Sequence, residues 1–485
     1  MNPISRNSIA LASAGVLSGL LLSASNAQAA NRDLNSIIQQ QQQQIEQLQE
    51  RLNKLETQTQ QATQQAQQAD TAAQQATQQA EQVSKATAAA PTVDWSRGVS
   101  PTITSPDGKN SIHINGRVYG DYDFIRADDN PAGNHFNTSA SQLRSARIGI
   151  DGKFAQDFQY RFNVEFAGGT EVKDAYIDYN APFTTPFFFR VGQYKTPNSL
   201  EQVADDFNNT FMEQAAFIGG TQNNGFGLDR SIGAGTAAES DKDNYTVAFG
   251  AFSQNARNTT AAKSGGYQLA ARATKAFKFN NTDDELVHVG GSVRWRDLNN
   301  QTDNDAVIYR ARPFFNNTNR SINTGTLNNV NGDLFLGPEL ALVYGPFSFQ
   351  SEAGWNYVDG AKGRDDATGL WGGYMDVSYY LTGESRRYSR GAFRSTKVLQ
   401  PVTNGGWGAW QLATRVDYLD LNNTSADIRG GQQWSAIVGL NWLPVDFVKL
   451  SLDYAHTHVF NGNGITTQGD DNSIDGVAAR AAINF

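Results

Sequence analysis

The sequence has no cysteine. Thiolate metal sites, a disulfide framework and cysteine nucleophiles are therefore excluded, and the absence suits a chain that crosses an oxidising compartment unfolded. Long apolar runs are scarce. Hydrophobic residues make up 39% of the 485 positions and the mean hydropathy is −0.50, so a bundle of membrane helices is excluded as well. A surplus of positive charge is missing too: the formal net charge is −9. That argues against nucleic acid as a partner, although acids placed in loops leave room for arginines inside. No GxSxG, HExxH or P-loop pattern occurs, and the five histidines show no serine–histidine arrangement of a hydrolase. Neither an enzyme nor a cofactor is expected.

What is present falls into four parts. The apolar run from Ile9 to Leu22 follows Arg6 and precedes Ala27-Gln28-Ala29. At about 14 residues it is too short to span a bilayer, and the A-x-A site marks residues 1–29 as a signal peptide, with Ala30 starting the mature chain. A retained N-terminal anchor is the alternative. Residues 30–90 are rich in Gln and Ala but keep a seven-residue period. Ile38, Ile45, Leu52, Thr59, Ala66, Ala73 and Ala80 form one row, and Leu34, Gln41, Leu48, Leu55, Ala62, Ala69, Ala76 and Val83 the other. This is a coiled-coil seam of about seven heptads, roughly 75 Å long at 1.5 Å per residue. It requires partner chains and predicts a periplasmic coil in a homotrimer; a solvated single helix or disorder is the alternative. Residues 91–110 read as a linker.

From residue 111 to 485 the chain alternates. Ile112, Ile114, Val118, Tyr122 and Phe124 interleave with His113, Asn115, Arg117, Asp121 and Asp123, and the last strand sets Val477, Ala479, Ala481 and Ile483 against Ala478, Arg480 and Ala482. One face suits hydrocarbon and the other water, which is the signature of a transmembrane β-barrel. Aromatic residues at 11% and 45 glycines supply girdles and turns. Tyr344-Gly345-Pro346 and Leu443-Pro444-Val445-Asp446 are short and periplasmic; residues 128–140 and 457–475 are long and external. A first count finds seventeen candidate strands. Placing the weakest, Ala306 to Phe315, in an external loop over 297–332 leaves sixteen and puts every turn on its proper side. The fold class expected is an all-β membrane protein: a sixteen-stranded antiparallel barrel behind an N-terminal α-helical coiled coil, in the cell outer membrane. Sixteen strands are wide enough for an aqueous pore and too few for a plugged siderophore-type transporter.

Several stretches resemble the phosphate- and polyphosphate-selective porins (O and P) of Gram-negative outer membranes. They are Lys173-Asp174-Ala175-Tyr176-Ile177-Asp178-Tyr179, Val191-Gly192-Gln193-Tyr194-Lys195-Thr196-Pro197, Thr210-Phe211-Met212-Glu213, Tyr344-Gly345-Pro346-Phe347, Tyr380-Leu381-Thr382-Gly383-Glu384, Arg390-Gly391-Ala392-Phe393, Tyr418-Leu419-Asp420-Leu421, Leu440-Asn441-Trp442-Leu443-Pro444 and Leu452-Asp453-Tyr454. The resemblance runs from Ser111 to Phe485. It implies a trimeric passive channel whose arginine ladder guides anions such as phosphate or polyphosphate to a constriction. It also implies that Arg144 and Arg147 lie near the paired arginines of that constriction, and that Asp174 is its aspartate. The third external loop departs from the family: Gln202 and then Asp205-Asp206 stand where the phosphate-selective members carry a lysine and a serine pair. Carboxylates there would repel phosphate, so a general or cation-preferring porin is the alternative, beside a structural or adhesive barrel.

On these grounds the anion track is expected to use Arg117, Arg144, Arg147, Arg161, Arg272, Arg294, Arg296, Arg310, Arg312, Arg415 and Arg480, and the constriction Asp174, Lys195, Gln202, Asp205 and Asp206. The competing expectation is that the arginines pair with Asp121, Glu165, Glu352, Asp417 and Asp453 and only brace the wall. Leu381 to Gly405 is too long for a periplasmic turn and carries Arg386, Arg387, Arg390 and Arg394; it is expected to fold up into the barrel mouth. His456 and His458 lack a third ligand, so no metal site is assigned, and Asp470-Asp471 reads by default as solvated loop, with a divalent ion or lipopolysaccharide cations as the alternative. The aromatic end, Phe485, resembles the address that outer-membrane barrels present to their insertion machinery.

Overall fold

The computed structural model describes residues 46, 50–55, 57–65, 67–75, 77, 91–95, 99–128, 137–182, 187–219, 225–242, 244–253, 266–279, 284–298, 307–361, 368–460 and 471–485. The expected signal peptide with its cleavage site, much of the expected heptad seam and Asp470 lie outside them. The chain divides into two units, residues 1–89 and 90–485. In the first, the described positions between 46 and 77 are α-helical, and Leu52 and Leu55 are exposed.

The second unit begins with two short strands, β1 (Thr92–Asp94) and β2 (Thr102–Thr104). Both lie in the stretch expected to be linker. β1 pairs with β2, and β2 continues the sheet onto β3 (Ser111–Ala127) through Thr102 opposite His113 and Thr104 opposite Ser111. Strands β4 (Thr138–Phe154), β5 (Phe158–Glu165), β6 (Glu171–Ala181), β7 (Phe187–Lys195), β8 (Arg230–Ser240), β9 (Tyr245–Ser253), β10 (Tyr267–Lys278) and β11 (Glu285–Asp297) follow in antiparallel order. A hairpin of β12 (Arg310–Ala311) and β13 (Ile322–Asn323) occupies the next loop. The expected demotion of residues 306–315 from wall to loop therefore agrees with the structure. The wall resumes with β14 (Gly332–Tyr344), β15 (Phe347–Asp359) and β16 (Thr368–Tyr380). A second hairpin, β17 (Arg387–Ser389) with β18 (Ala392–Arg394), interrupts it before β19 (Ala409–Asn423), β20 (Ile428–Val445), β21 (Val448–Phe460) and β22 (Asn472–Asn484). β22 pairs with β3 from Ile474 opposite Ala127 to Asn484 opposite Arg117, which closes a barrel of sixteen strands.

Burial inverts the pattern of a water-soluble protein. Val118, Tyr122, Phe124, Ile148, Phe162, Val191, Leu340, Trp355, Met375, Val416 and Leu452 are exposed on the outside, while Arg117, Asp121, Asn163, Glu339, Asp417 and Asp453 are buried inside. No helix of the described residues is long and apolar enough to cross a membrane; the strands do so, with apolar faces toward lipid. Phe485 closes the seam. Its backbone exchanges hydrogen bonds with Gly116 at 2.7 and 2.8 Å, and its ring lies where a side chain at Gly116 would be. His456 and His458 face outward at the external end, beside Trp434, with His456 2.9 Å from Asp475. They belong to the outer girdle.

Candidate functional site

Three segments enter the lumen and decide which inward side chains meet water. The loop between β7 and β8, residues 196–229, carries a one-turn helix, Leu200–Val203, whose first amides need acceptors. Ser199 caps it, and the two oxygens of Glu352 on β15 accept from the amides of Leu200 and Glu201, each at 2.8 Å. Farther on, Asp453 accepts from the amide of Met212 (3.0 Å) and Asp417 from that of Ala216 (2.7 Å). Lys449 donates to the carbonyl of Asn209 at 2.7 Å. Of the acids expected to brace arginines, Glu352, Asp417 and Asp453 thus hold the loop backbone, whereas Asp121 pairs with Arg480 at 2.8 Å and Glu165 lies 3.4 Å from Arg147. Phe217 then packs against Phe226, Phe335 and Tyr374. The wall makes room for this side chain with Gly354 and Gly372, where an added Cβ would come within 2.7 Å of the Phe217 ring and of its Cβ, respectively.

The loop carrying β12 and β13 covers this apolar cluster from outside, with Tyr309, Ala311, Phe315, Ile322 and Leu327 all buried in it. From the periplasmic end the β17–β18 hairpin folds inward. Arg272 donates to the carbonyl of Gly391 at 2.7 Å, Tyr388 lies 2.6 Å from His288, and Tyr388 and Phe393 share a buried cluster with Leu200. Arg390 and Ser389 tie the hairpin tip to Asp241.

Among the described residues, two cavities of the lumen lie mainly along β3 to β10, the external one reaching β19, β20 and β22 as well. The external one, about 560 Å³, is lined by nine cationic and six acidic side chains. The periplasmic one, about 460 Å³, has nine and four. Four side chains line both: Arg117, Arg147, Lys195 and Arg230. All four are cations. Each has a carboxylate near: Arg117 lies 2.7 Å and Lys195 3.8 Å from Asp206, Arg230 2.8 Å from Asp174, and Arg147 3.4 Å from Glu165. Burial acts to raise the Asp206 pKa, but the charges of Arg117 and Lys195 outweigh it and hold the carboxyl well below its usual range. At Glu213, Arg144 and Arg480 likewise overcome burial and lower the pKa. In the external vestibule burial, and then Arg312 and Arg310, lower the Arg320 pKa to about 10.

The expected residues divide. Arg117, Arg147 and Lys195 stand where the cavities meet; Arg144, Arg312, Arg480, Gln202 and Asp206 line the external cavity; Arg161, Arg272, Asp174 and Asp205 line the periplasmic one. Arg294, Arg296, Arg310 and Arg415 line neither of these two cavities. Arg294 and Arg296 both pair with Asp333 behind the loops, and Arg415 pairs with Asp376 at 2.7 Å and Glu201 at 2.5 Å. Arg310 lies in β12.

Strict alternation would put Arg144 and Arg147, three apart, on opposite faces. A bulge between the Tyr119–Ser145 and Gly120–Leu143 pairs brings both inside and leaves Leu143 exposed. Arg230, Arg190 and Arg320 are additional lining residues that sequence reasoning missed. Arg230 shares parity with lipid-facing Ile232 and turns inward only because it begins its strand; it pairs with Lys195, which ends the neighbouring one. Arg190 was findable, since it alternates with Phe189 and Val191 in β7.

Comparison with known proteins gives the family. The model of "Phosphate-selective porin O and P" matches residues 112–485. The chain belongs to this family. This porin is 25% identical over 424 residues to Porin O of Pseudomonas aeruginosa, covering 79% of this chain and 90% of that protein. It is 29% identical over 408 residues to an uncharacterized protein of Caulobacter vibrioides, with 82% and 78% covered. Among solved structures, the outer membrane channel DcaP of Acinetobacter baumannii superposes with a TM-score of 0.48 at 14% identity, covering 79% of this chain and 99% of that one. Family and barrel together make this porin an outer-membrane channel.

Proposed function

We propose that this porin is a passive diffusion channel that prefers anions, selected where Arg117, Arg147, Lys195 and Arg230 separate the two cavities. The carrying observation is that every side chain lining both cavities is cationic. A solute that passes there leaves part of its hydration for guanidinium and ammonium donors, which favour phosphate and carboxylate oxygens. The third-loop acids do not overturn this. Asp206 faces Arg117 and Lys195, and Asp205 accepts from the amide of Phe207 at 2.9 Å, so each is engaged within the site. Their role is to place cations at the constriction. Phosphate is the family expectation, and the lining supports an oxyanion over a metal cation.

The assembly is a homotrimer with a periplasmic coiled coil. The exposed Leu52 and Leu55 on the described helical positions support this, since a seam of leucines is stable only against partner helices. Reversal potential in planar bilayers under a salt gradient tests the selectivity. An anion-selective potential is expected, strengthened when phosphate replaces chloride; a cation-selective potential would return the third-loop acids to the leading role.

A further inference from the structure

The connection from β16 to β19, residues 381–408, reaches in two directions. Its first part holds the β17–β18 hairpin and carries Arg386, Arg387, Arg390, Arg394 and Lys397. Its second part, Leu399 to Gly408, has no charged residue. Trp407 is 79% exposed, more than any other large apolar side chain among the described residues, and Leu399 and Val402 are exposed on the same short loop. Single apolar side chains on a surface need no explanation, but a group of them on one loop marks an interaction surface.

The loop is closely tied together. The amides of Asn404 and Gly406 donate to the carbonyl of Pro401 at 3.0 and 3.1 Å, that of Gly405 to Val402 at 3.0 Å, and that of Gly408 to Gln400 at 2.9 Å. At its base Asp446 accepts from the amide of Val398 at 2.7 Å and Glu384 from that of Leu399 at 3.1 Å. Val398 itself is buried with Tyr380, Ala409 and Leu443. A backbone whose polar groups pair with one another gives up water at little cost.

Two tryptophans fix where the loop lies. Trp410 of β19 and Trp442 of β20 are directly opposite in register and stack with ring centroids 5.4 Å apart. Trp410 shares strand parity with exposed Leu412, so the pair belongs to the lipid-facing wall at its periplasmic end. Their indole N–H groups both donate to the carbonyl of Trp407, at 3.2 Å from Trp410 and 2.8 Å from Trp442. Gly408 permits this approach: its φ is +70°, and a Cβ there would come 2.8 Å from Nε1 of Trp442. The loop is therefore fastened to the outer face of the barrel, at the level where indoles meet lipid headgroups.

We propose that Leu399 to Gly408 is an interfacial foot that inserts Leu399, Val402 and Trp407 into the headgroup boundary of the periplasmic leaflet. Its partner is a lipid surface. Three observations favour lipid over a second copy of the chain: the loop continues a face that lipid already covers, it carries no charge, and its backbone is paired internally. The foot depends on the outer-membrane location and not on which ions the pore prefers.

The chain has no cysteine, so single sites can be labelled. Full-length porin carrying Trp407→Cys, Val402→Cys or Lys109→Cys is labelled with nitrobenzoxadiazole and reconstituted into vesicles of phosphatidylethanolamine and phosphatidylglycerol. Lys109 is exposed in the turn between β2 and β3 and reports water. None of these changes removes the Trp407 carbonyl that the indoles use. Labels at 402 and 407 are expected to be quenched by lipids with a nitroxide near the headgroup, and about fivefold less than the label at 109 by iodide on both sides of the membrane. Iodide quenching equal to that at 109, without quenching by nitroxide lipid, overturns the proposal. Efficient cross-linking of Trp407→Cys between subunits by a short bismaleimide also overturns it, since the loop then faces a second copy. If Trp407→Cys does not fold, Val402→Cys gives the same decision.

Discussion

Two groups of strands in the barrel wall carry arginines of the same inward facing, yet they use them differently. On β11 and β19, Arg294, Arg296 and Arg415 are buried under the loops and paired with Asp333, Asp376 and Glu201. On β3 to β8, Arg117, Arg147 and Arg230 are also paired with acids but border open cavities. Strand alternation determines that an arginine points inward. The loop that packs over it determines whether it becomes a brace or part of the pore.

The sharpest way to break this comparison is to exchange the roles. Arg415→Met should cost about 3–5 kcal/mol, because Asp376 and Glu201 remain buried without their counter-charge. The readout is a lower unfolding midpoint of the purified porin, with any surviving channels keeping their ion preference. Arg117→Gln and Arg230→Gln should do the reverse, lowering the anion-to-cation permeability ratio roughly three- to tenfold each while the barrel remains resistant to detergent. Asp206→Asn should raise anion preference by a smaller factor, about threefold, and Asp205→Asn should change it less, since that side chain mainly caps a turn.

The lowered pKa of Asp206 carries a sign. A carboxyl held below its usual range contributes stability that is complete at neutral pH and is lost only as pH falls through the lowered value. Protonation of Asp206 should therefore leave no step in single-channel conductance between pH 7 and about pH 4. The smallest effect is expected on the outer girdle. Replacing His456 and His458 by Gln should shift stability by less than about 0.5 kcal/mol and leave conductance unchanged.

Much of the wall could be read from period-two patterning, because one face must suit lipid along every strand. The parity of turns was enough to move residues 306–315 into a loop. The site was harder to read. Arg144 needed a bulge, and Arg230 needed a strand end, both departures from the period that defines the wall. The braced role of Arg415 depends on Glu201, 214 positions away in sequence, and no local pattern encodes that encounter. The strands in the segment ahead of the barrel were missed because three-residue strands carry too few alternations to register.

The most direct measurement is the reversal potential of wild type and of the Arg117→Gln/Arg230→Gln double variant under the same salt gradient. Selection at the junction of the two cavities predicts an anion-selective wild type and a double variant near zero potential. A wild type that prefers cations, or a double variant that keeps the wild-type potential, would contradict it.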